Sequence, residues 1–524
     1  MSVLQVNDLS VFFTVGERTI EAVRGVSFEI DRAETFALVG ESGAGKSVTA
    51  LSVMGLLPPR AFMPAGKIRF LGRDLLEPGA AQAIRGGGIA MIFQEPMTSL
   101  NPLHTVEKQI GESLRLHKDL SQEEVRARVK ELLELVKLPE AHKRLDSYPH
   151  QLSGGQRQRV MIAMTLAGDP DLLIADEPTT ALDVTIQAEI LDLLKSLQSR
   201  FNMSILLITH DLLVVRKTAD RVGVMKDGKI VETGETGKVF TRPEHEYTRY
   251  LLASELKDKG EEANPNAVSV VETVNLNVRF PLYKGLFRRA KGYIHAVRDI
   301  SVTIREGQTV GLVGESGSGK TTFGLAVLRL VRSSGTINFR GMDIQDLHSR
   351  QVRPLRKEMQ IIFQDPFASL NPRLTVGQII GEGLAVHGSA DAAEREVRIG
   401  STLREVGLTE DMAGRYPHEF SGGQRQRICI ARTLVLKPKF LVLDEPTSAL
   451  DMSVQTQILA LLRDLQERYS LAYLIISHDL RVVRALSHEI LVIKDGAVVE
   501  HGPSEKVLQS PEHPYTRDLI RAVY

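Results

Sequence analysis

Short, unbroken apolar runs that end in polar residues punctuate the chain. Thr35-Phe36-Ala37-Leu38-Val39 runs into a glycine-rich segment, Leu172-Leu173-Ile174 leads to Asp176, and Ile205-Leu206-Leu207-Ile208 leads to His210. Runs this short and continuous suit strands buried on both faces of a parallel sheet, because a half-exposed strand would alternate. Helical patterns lie between them. Ser121 with Glu124 has the form of a capping box, and Val125, Val129, Leu132, Leu133 and Val136 follow on one helical face. The pattern predicts an α/β fold with a helical insertion between Gln94 and Ser153.

The punctuation occurs twice. Gly40-Glu41-Ser42-Gly43-Ala44-Gly45-Lys46-Ser47 returns as Gly314-Glu315-Ser316-Gly317-Ser318-Gly319-Lys320-Thr321, and Leu152-Ser153-Gly154-Gly155-Gln156 as Phe420-Ser421-Gly422-Gly423-Gln424. Ala175-Asp176-Glu177-Pro178 returns as Leu443-Asp444-Glu445-Pro446, and His210 as His478. Ser153 to Glu177 and Ser421 to Glu445 both span 24 positions, and each glutamate precedes its histidine by 33. Upstream the halves drift, with 48 positions from Lys46 to Gln94 against 44 from Lys320 to Gln364. Solenoid repeats have periods of roughly 20–50 residues, so this is a duplication of whole domains. A chain of 524 residues is also too long for one core. The polar, Gly- and Pro-containing stretch from Lys257 to Ala267 reads as a short exposed linker. The expected organisation is one domain over 1–253, a linker over 254–270 and a second domain over 271–524.

Composition narrows the classes. Lys+Arg and Asp+Glu both total 65, so no net charge argues for nucleic acid or an acidic partner. The single cysteine, Cys429, rules out an intrachain disulfide, a four-cysteine zinc site and an iron–sulfur cluster, and fits a reducing interior. No apolar run approaches the roughly 18–20 residues that span a bilayer, and Met1 to Ser10 lacks the form of a secretory signal. The expectation is a soluble chain whose membrane association comes through a partner.

The glycine loops fit G-x-x-x-x-G-K-[ST]. Gly40, Ser42, Gly43 and Gly45, with Gly314, Ser316, Gly317 and Gly319, let backbone N–H groups converge on phosphate at a helix start. Lys46 and Lys320 would reach the β- and γ-phosphates, and the Ser47 and Thr321 hydroxyls would ligate Mg²⁺. Asp176 and Asp444 close apolar strands, where a carboxylate is costly unless it meets a cation, so Mg²⁺ is the natural partner. Glu177 and Glu445 stand next, placed to accept a proton from the water that attacks the γ-phosphate. The plainer reading is a carboxylate capping the element after Pro178 or Pro446. His210 and His478 would contact the γ-phosphate; each would otherwise be a buried, hydrogen-bonded residue. Gln94 and Gln364, in matching Ile-Phe-Gln contexts before a Pro-containing loop, would touch both Mg²⁺ and the attacking water. A serine hydroxyl and exposed glycine amides at a helix start, in Ser153-Gly154-Gly155-Gln156 and Ser421-Gly422-Gly423-Gln424, form a second anion site.

These motifs in this order resemble the ATP-binding cassette (ABC) ATPases, across nearly the whole chain. The resemblance implies two tandem nucleotide-binding domains, each with a P-loop parallel-sheet core, a helical subdomain and a small antiparallel β subdomain. It implies hydrolysis of ATP to ADP and phosphate at two composite sites. Lys46, Gln94, Asp176, Glu177 and His210 would face Ser421, Gly423 and Gln424, while Lys320, Gln364, Asp444, Glu445 and His478 would face Ser153, Gly155 and Gln156. Asp183 and Asp451, each in Ala-Leu-Asp, match the family's D-loop and would couple the sites. Phe13 and Phe280 match the position whose ring stacks on adenine, and serve equally well as core aromatics. Both sites look intact.

Three classes of such ATPase compete. A repair or chromosome ATPase needs zinc cysteines or coiled-coil arms, and a tandem translation factor needs a long charged helical linker. A transporter motor needs neither. The lack of fused spans resembles importers, in which separate permeases sit on the cassettes. Ser99-Leu100-Asn101-Pro102 and Ser369-Leu370-Asn371-Pro372 follow the glutamine loops as in oligopeptide and dipeptide importers. Pro511-Glu512-His513-Pro514-Tyr515-Thr516-Arg517 resembles that group's C-terminal signature. The first-half copy, Pro243 to Arg249, departs at Glu246, so its terminal extension is expected to pack differently. The cysteine cluster that many such ATPases carry nearby is absent. Met91-Ile92-Phe93-Gln94-Glu95-Pro96-Met97, Tyr148-Pro149-His150-Gln151-Leu152 and the short linker are most similar to the fused ATPases of microcin C-type peptide importers. Glutathione-type importers are near neighbours, and a soluble ABC translation factor is the alternative from another class.

The implied partners are two integral-membrane permeases and, through them, a periplasmic or extracellular solute-binding protein, without nucleic acid. The implied place is the cytoplasmic face of the bacterial inner membrane. The helical stretches from Met97 to Tyr148 and from Phe367 to Tyr416 are expected to dock the permeases. The basic run from Lys284 to Lys291 reads as a solvated loop, Gly86-Gly87-Gly88 as a flexible approach to the next strand, and Cys429 as core.

Overall fold

The computed structural model describes residues 2–16, 18–93, 99–179, 182–253, 264–284, 289–388, 391–448 and 450–523. The chain divides into two compact units, Met1–Leu182 with Ile186–Glu255, and Asp183–Thr185 with Leu256–Tyr524. The first contains β1 (Ser2–Val15), β2 (Arg18–Asp31), β3 (Thr35–Val39), β4 (Ala61–Phe70), β5 (Arg73–Asp74), β6 (Ile89–Ile92), β7 (Leu172–Asp176), β8 (Ser204–Thr209), β9 (Arg221–Lys226) and β10 (Lys229–Glu235). Strands β2-β1-β4-β5 form a small antiparallel sheet. Strands β10-β9-β3-β8-β7-β6 form a second sheet, parallel except for β10 at its edge.

The second unit repeats this with β11 (Ser269–Lys284), β12 (Arg289–Arg305), β13 (Thr309–Val313), β14 (Ser334–Phe339), β15 (Met342–Asp343), β16 (Met359–Ile362), β17 (Phe440–Asp444), β18 (Ala472–Ile476), β19 (Glu489–Lys494) and β20 (Ala497–Pro503). Its sheets run β12-β11-β14-β15 and β16-β17-β18-β13-β19-β20. The unbroken apolar runs have the expected cause. On β17, Phe440 and Val442 enter one core while Leu441 and Leu443 enter another; on β18, Leu474 and Ile476 oppose Tyr473 and Ile475 in the same way. Each central strand is therefore buried on both faces, which requires apolar residues at every position.

Parallel register brings the punctuating residues to one edge. Val39 pairs with Thr209, Asp176 with Ile208, and Ile92 with Ala175. The ends of β3, β8, β7 and β6 thus lie side by side, at the carboxyl edge where open α/β sheets bind ligands. Leu312 with Ile476, Asp444 with Ile476, and Ile362 with Leu443 reproduce the alignment.

The helical insertion forms as expected. Helices Val106–His117 and Gln122–Leu135 occupy it in the first unit, and Val376–Val386 and Ala392–Glu405 in the second. The Ser121 capping box closes: its backbone N–H donates to Glu124 at 2.8 Å, and Val125, Val129, Leu132, Leu133 and Val136 are buried. Ile379, Ile380 and Leu384 pack with Ile428 in the core that also holds Leu441 and Ile475. The insertion is thereby anchored to one face of the main sheet.

One expectation is corrected. In Gly86-Gly87-Gly88 the outer two are closely approached, Gly86 with φ +82° and Gly88 with an added Cβ 2.9 Å from Phe70 Cε1, whereas Gly87 has ordinary room. A Cβ at Gly86 would lie 2.3 Å from His117 Nε2, and one at Gly168 would lie 1.9 Å from Gly86 O. Cys429 is core, 2% exposed, and burial pushes its thiol up to about 11. In the basic run, 285–288 lie outside the described residues, as do 254–263 of the linker; Lys284 pairs with Arg289 at the ends of β11 and β12.

Candidate nucleotide site

Each glycine loop joins a buried strand to a helix, Lys46–Met54 or Lys320–Val327. Gly45 and Gly319 precede those helices with φ of +100° and +102°. A Cβ at Gly45 would lie 2.5 Å from Ala22 O, and at Gly319 2.0 Å from Ala296 O. The loop is therefore built of glycine for two separate reasons, left-handed backbone and a carbonyl pressed against it. Gly319→Ala is expected to weaken ATP binding by more than about ten-fold, from strain in that backbone region plus the clash. Titration with ATP checks this, and wild-type affinity would contradict it.

The loop lysines are buried and turned back onto the loop. Lys46 Nζ donates to Gly40 O at 2.7 Å and Glu41 O at 2.9 Å; Lys320 Nζ donates to Gly314 O at 2.8 Å and Glu315 O at 2.7 Å. Burial holds Lys320 below its ordinary pKa, against the raising influence of Glu445 and Asp444. The Ser47 hydroxyl donates to Asp176 Oδ1 at 3.1 Å, and the Thr321 hydroxyl to Asp444 Oδ1 at 3.1 Å. Desolvation raises both aspartates to about 6, more than the hydroxyl donors lower them.

Glu177 and Glu445 carry a feature absent from any motif. Both adopt left-handed backbone, φ +48° and +49°, in spite of a full side chain. Strain of this kind costs about 1–3 kcal/mol and is held only where surroundings enforce it. Here the enforcing bonds are Glu177 N–H to Ile208 O and Glu445 N–H to Ile476 O, each 2.8 Å. The carboxylates meet the histidines: His210 Nδ1 lies 3.0 Å from Glu177 Oε1, and His478 Nδ1 2.8 Å from Glu445 Oε1. Burial alone would raise Glu445 and lower His478. The bond between them reverses both, so Glu445 is held below its ordinary pKa and His478 above it. Gln364 Nε2 donates to Glu445 Oε2 at 2.5 Å. Thus the second unit gathers Lys320, Thr321, Gln364, Asp444, Glu445 and His478. The first gathers Lys46, Ser47, Asp176, Glu177 and His210, and Gln94 lies outside the described residues.

The serine–glycine motifs build a separate piece. Ser153 and Ser421 cap helices Gly154–Thr165 and Gly422–Leu434, each closing a capping box with Gln156 or Gln424. Of the two glycines in the first motif, Gly154 is exposed and the second is not. Gly155 and Gly423 are buried, and an added Cβ would lie 2.6 Å from Ile186 Cγ2 or 2.4 Å from Val454 Cγ1. Their glycine requirement comes from helix packing, while Ser153 and Ser421 remain exposed at the helix starts. Asp183 and Asp451 immediately precede helices Val184–Phe201 and Met452–Tyr469. Phe13 packs against the first unit's core, whereas Phe280 is 43% exposed.

Two further residues reach the glycine loops, and no motif gives them a role. Tyr247 and Tyr515, from the repeated Pro-Glu-His-x-Tyr-Thr-Arg segment, place their hydroxyls on the glycine loops. The repeat itself was the available signal. The expected difference at Glu246 does not reach this contact, since both copies make it.

The arrangement can bind a polyphosphate at the loop, hold a divalent cation between hydroxyl and carboxylate, and take a proton from water at an oriented glutamate. Comparison with known proteins places the chain in a family. A model of the ABC transporter family matches residues 23–180 and 297–448. A model of the oligopeptide/dipeptide transporter C-terminal region matches 231–272 and 499–524. The peptidoglycan transport ATP-binding protein YejF of Agrobacterium fabrum is 56% identical, over 99% of this chain and 96% of that protein. An uncharacterized ABC transporter ATP-binding protein YejF of Escherichia coli K12 is 52% identical over 99% of both. The glutathione import ATP-binding protein GsiA of Escherichia coli K12 is 48% identical, covering 100% of this chain and 89% of that protein. With the family model matched in both halves and relatives similar from end to end, the chain belongs to the ABC transporter family and is an ATPase with two cassettes in one polypeptide.

Proposed function

We propose that this chain is the ATP-hydrolysing motor of a bacterial importer for peptides or peptide-like compounds of the microcin C type. The observation that carries the reading is the peptide-transporter C-terminal model, matched once in each half. Full-length relatives named for peptidoglycan transport and glutathione import support it. The cassettes would be 1–253 and 271–524, joined by the linker 254–270. Each ATP site would be completed by the serine–glycine motif of the other half, with Asp183 and Asp451 coupling them and Phe13 and Phe280 at the adenines.

Within each site the chain's own groups divide the work. The loop amides and Lys46 or Lys320 bind and orient the β- and γ-phosphates. Glu177 or Glu445 takes the proton of the attacking water, and His210 or His478 holds that carboxylate in place beside the γ-phosphate. Asp176 and Asp444 are buried carboxylates, each facing a hydroxyl, a donor set that suits a hard cation. Ser47, Gln94 and Asp176, or Thr321, Gln364 and Asp444, would hold Mg²⁺, which neutralises phosphate charge when bound.

Among the described residues no helix is long and apolar enough to cross a membrane. The chain would work peripherally at the cytoplasmic face of the inner membrane, under two permease subunits served by a solute-binding protein. Crosslinks from 97–148 and 367–416 would then run to the permeases; crosslinks only to ribosomal proteins would overturn this in favour of a translation factor. A glutathione-type cargo is the second reading, favoured by the GsiA match. Copurification with two permeases, then uptake of a labelled microcin C-type peptide against glutathione, tests both. Peptide uptake that needs this chain is the expected result, and glutathione uptake alone would overturn the peptide reading.

A further inference from the structure

The C-terminal segments contact the phosphate loops, and they do so identically in the two halves. Tyr247 Oη accepts a hydrogen bond from Glu41 N–H at 3.3 Å, and Tyr515 Oη accepts one from Glu315 N–H at 3.0 Å. The peptide that donates is the one whose carbonyl, Gly40 O or Gly314 O, accepts the loop lysine at 2.7 or 2.8 Å. One planar peptide group is thus held at both ends, by a tyrosine at its N–H and by the lysine at its C=O. Because the peptide is rigid, fixing its N–H fixes the direction of its carbonyl.

The tyrosines are themselves held. On the edge strand β10, the Glu232 carboxylate accepts Glu244 N–H and His245 N–H, both at 2.9 Å. On β20, Glu500 accepts Glu512 N–H at 2.8 Å and His513 N–H at 3.0 Å. Partial burial would raise these glutamates, yet the Thr516 side chain beside Glu500, the Thr248 side chain beside Glu232 and the amide donors leave both below their ordinary pKa. His245 Nδ1 then accepts Tyr247 N–H at 3.1 Å, and His513 Nδ1 accepts Tyr515 N–H at 3.2 Å. Arg249 and Arg517 close the turn by donating to Glu244 O and Glu512 O, both at 2.7 Å. Lys226 and Lys494 sit 4.8 and 4.7 Å from the two ring centres. The rings are 5% and 7% exposed, and burial raises both phenols, Tyr515 to about 12, so each stays a neutral hydroxyl. Every member of the Pro-Glu-His-x-Tyr-Thr-Arg segment named here serves to aim one hydroxyl.

We infer that Tyr247 and Tyr515 are positioning residues for ATP binding, orienting the loop peptide that anchors Lys46 and Lys320, so that each C-terminal segment acts on its own half's phosphate loop. The inference rests on the phosphate-loop reading of those lysines. Tyr→Phe keeps the ring and its lysine contact and removes only the hydroxyl. In the full-length chain, Tyr247→Phe with Tyr515→Phe should weaken ATP affinity about five-fold, the effect of one net hydrogen bond per site. KM for ATP should rise in proportion while kcat barely moves, because the hydroxyl is remote from the reacting water. Melting of the nucleotide-free chain is measured alongside. A lower melting temperature with unchanged ATP affinity and KM would overturn the inference, leaving the tyrosines as packing residues. Each single variant is read the same way, which covers a double variant that does not fold. Lys46→Ala with Lys320→Ala is the separate control: normal ATP binding there would sink the phosphate-loop reading itself.

Discussion

Replacing Glu177 or Glu445 by Gln is expected to lower ATP hydrolysis by about 10²–10⁴-fold at the altered site, the contribution of a positioned general base in the proposed mechanism, while ATP binding persists. The substitution is close to isosteric. Gln offers a carbonyl oxygen where the histidine Nδ1 sits 2.8 Å from Glu445 Oε1, so that bond survives, while Gln364, which donates to Oε2, must turn its own oxygen toward the new amide. What it cannot do is take a proton. Glu445 is suited to that task because His478 and Lys320 keep it ionised against the desolvation that would protonate it. The left-handed backbone at φ +48° and +49° aims both carboxylates, and the pairing of their N–H groups with the neighbouring strand is untouched by the change. Measured in the assembled transporter, full ATPase activity in either variant would remove that half from the two-site assignment.

The second large effect has opposite signs in two assays. Asp176→Asn and Asp444→Asn should each abolish most Mg²⁺-dependent turnover, yet stabilise the nucleotide-free chain in chelator. Burial raises the folded-state carboxyls from 3.8 to about 6. At pH 7.5 the ionised form therefore carries a cost on the order of 3 kcal/mol per site, which a neutral amide avoids. The sign follows from the raised pKa. Below the unfolded value of 3.8 neither state is ionised and the cost is absent; it grows as pH rises and is complete above about 6. The stabilisation of Asn over Asp should follow that window in melting curves. A variant that lost turnover without gaining metal-free stability would show that the aspartate is not a strained, cation-seeking carboxylate.

Much of the site was legible beforehand because its chemistry is local. A loop that cradles phosphate needs glycines, a lysine and a hydroxyl within eight positions, and a carboxylate closing an apolar strand advertises a cation. The capping box at Ser121 is equally local, since its partners are three residues apart. Three points were not legible. Gly86 reads as flexible because a glycine run looks alike whether it is loose or crossed by a second helix; only His117 and Gly168 distinguish the cases. Which glycine of each Ser-Gly-Gly motif is buried follows from Ile186 and Val454, about thirty positions away. Tyr247 meets Glu41 across some two hundred residues, and no spacing rule connects them.

By itself, the sequence determined the duplication, the order of the motifs and the identity of nearly every candidate group for handling nucleotide. Each of these depends on residue type and short spacing, which a linear chain records. Tertiary structure alone decided which strand ends become neighbours, and hence that lysine, aspartate, glutamate and histidine share one edge of a parallel sheet. It also decided the strained backbone of the two glutamates and the hold of the C-terminal tyrosines on the phosphate loops. Those features arise from strand register and side-chain packing between distant segments, where contact depends on the fold rather than on separation along the chain.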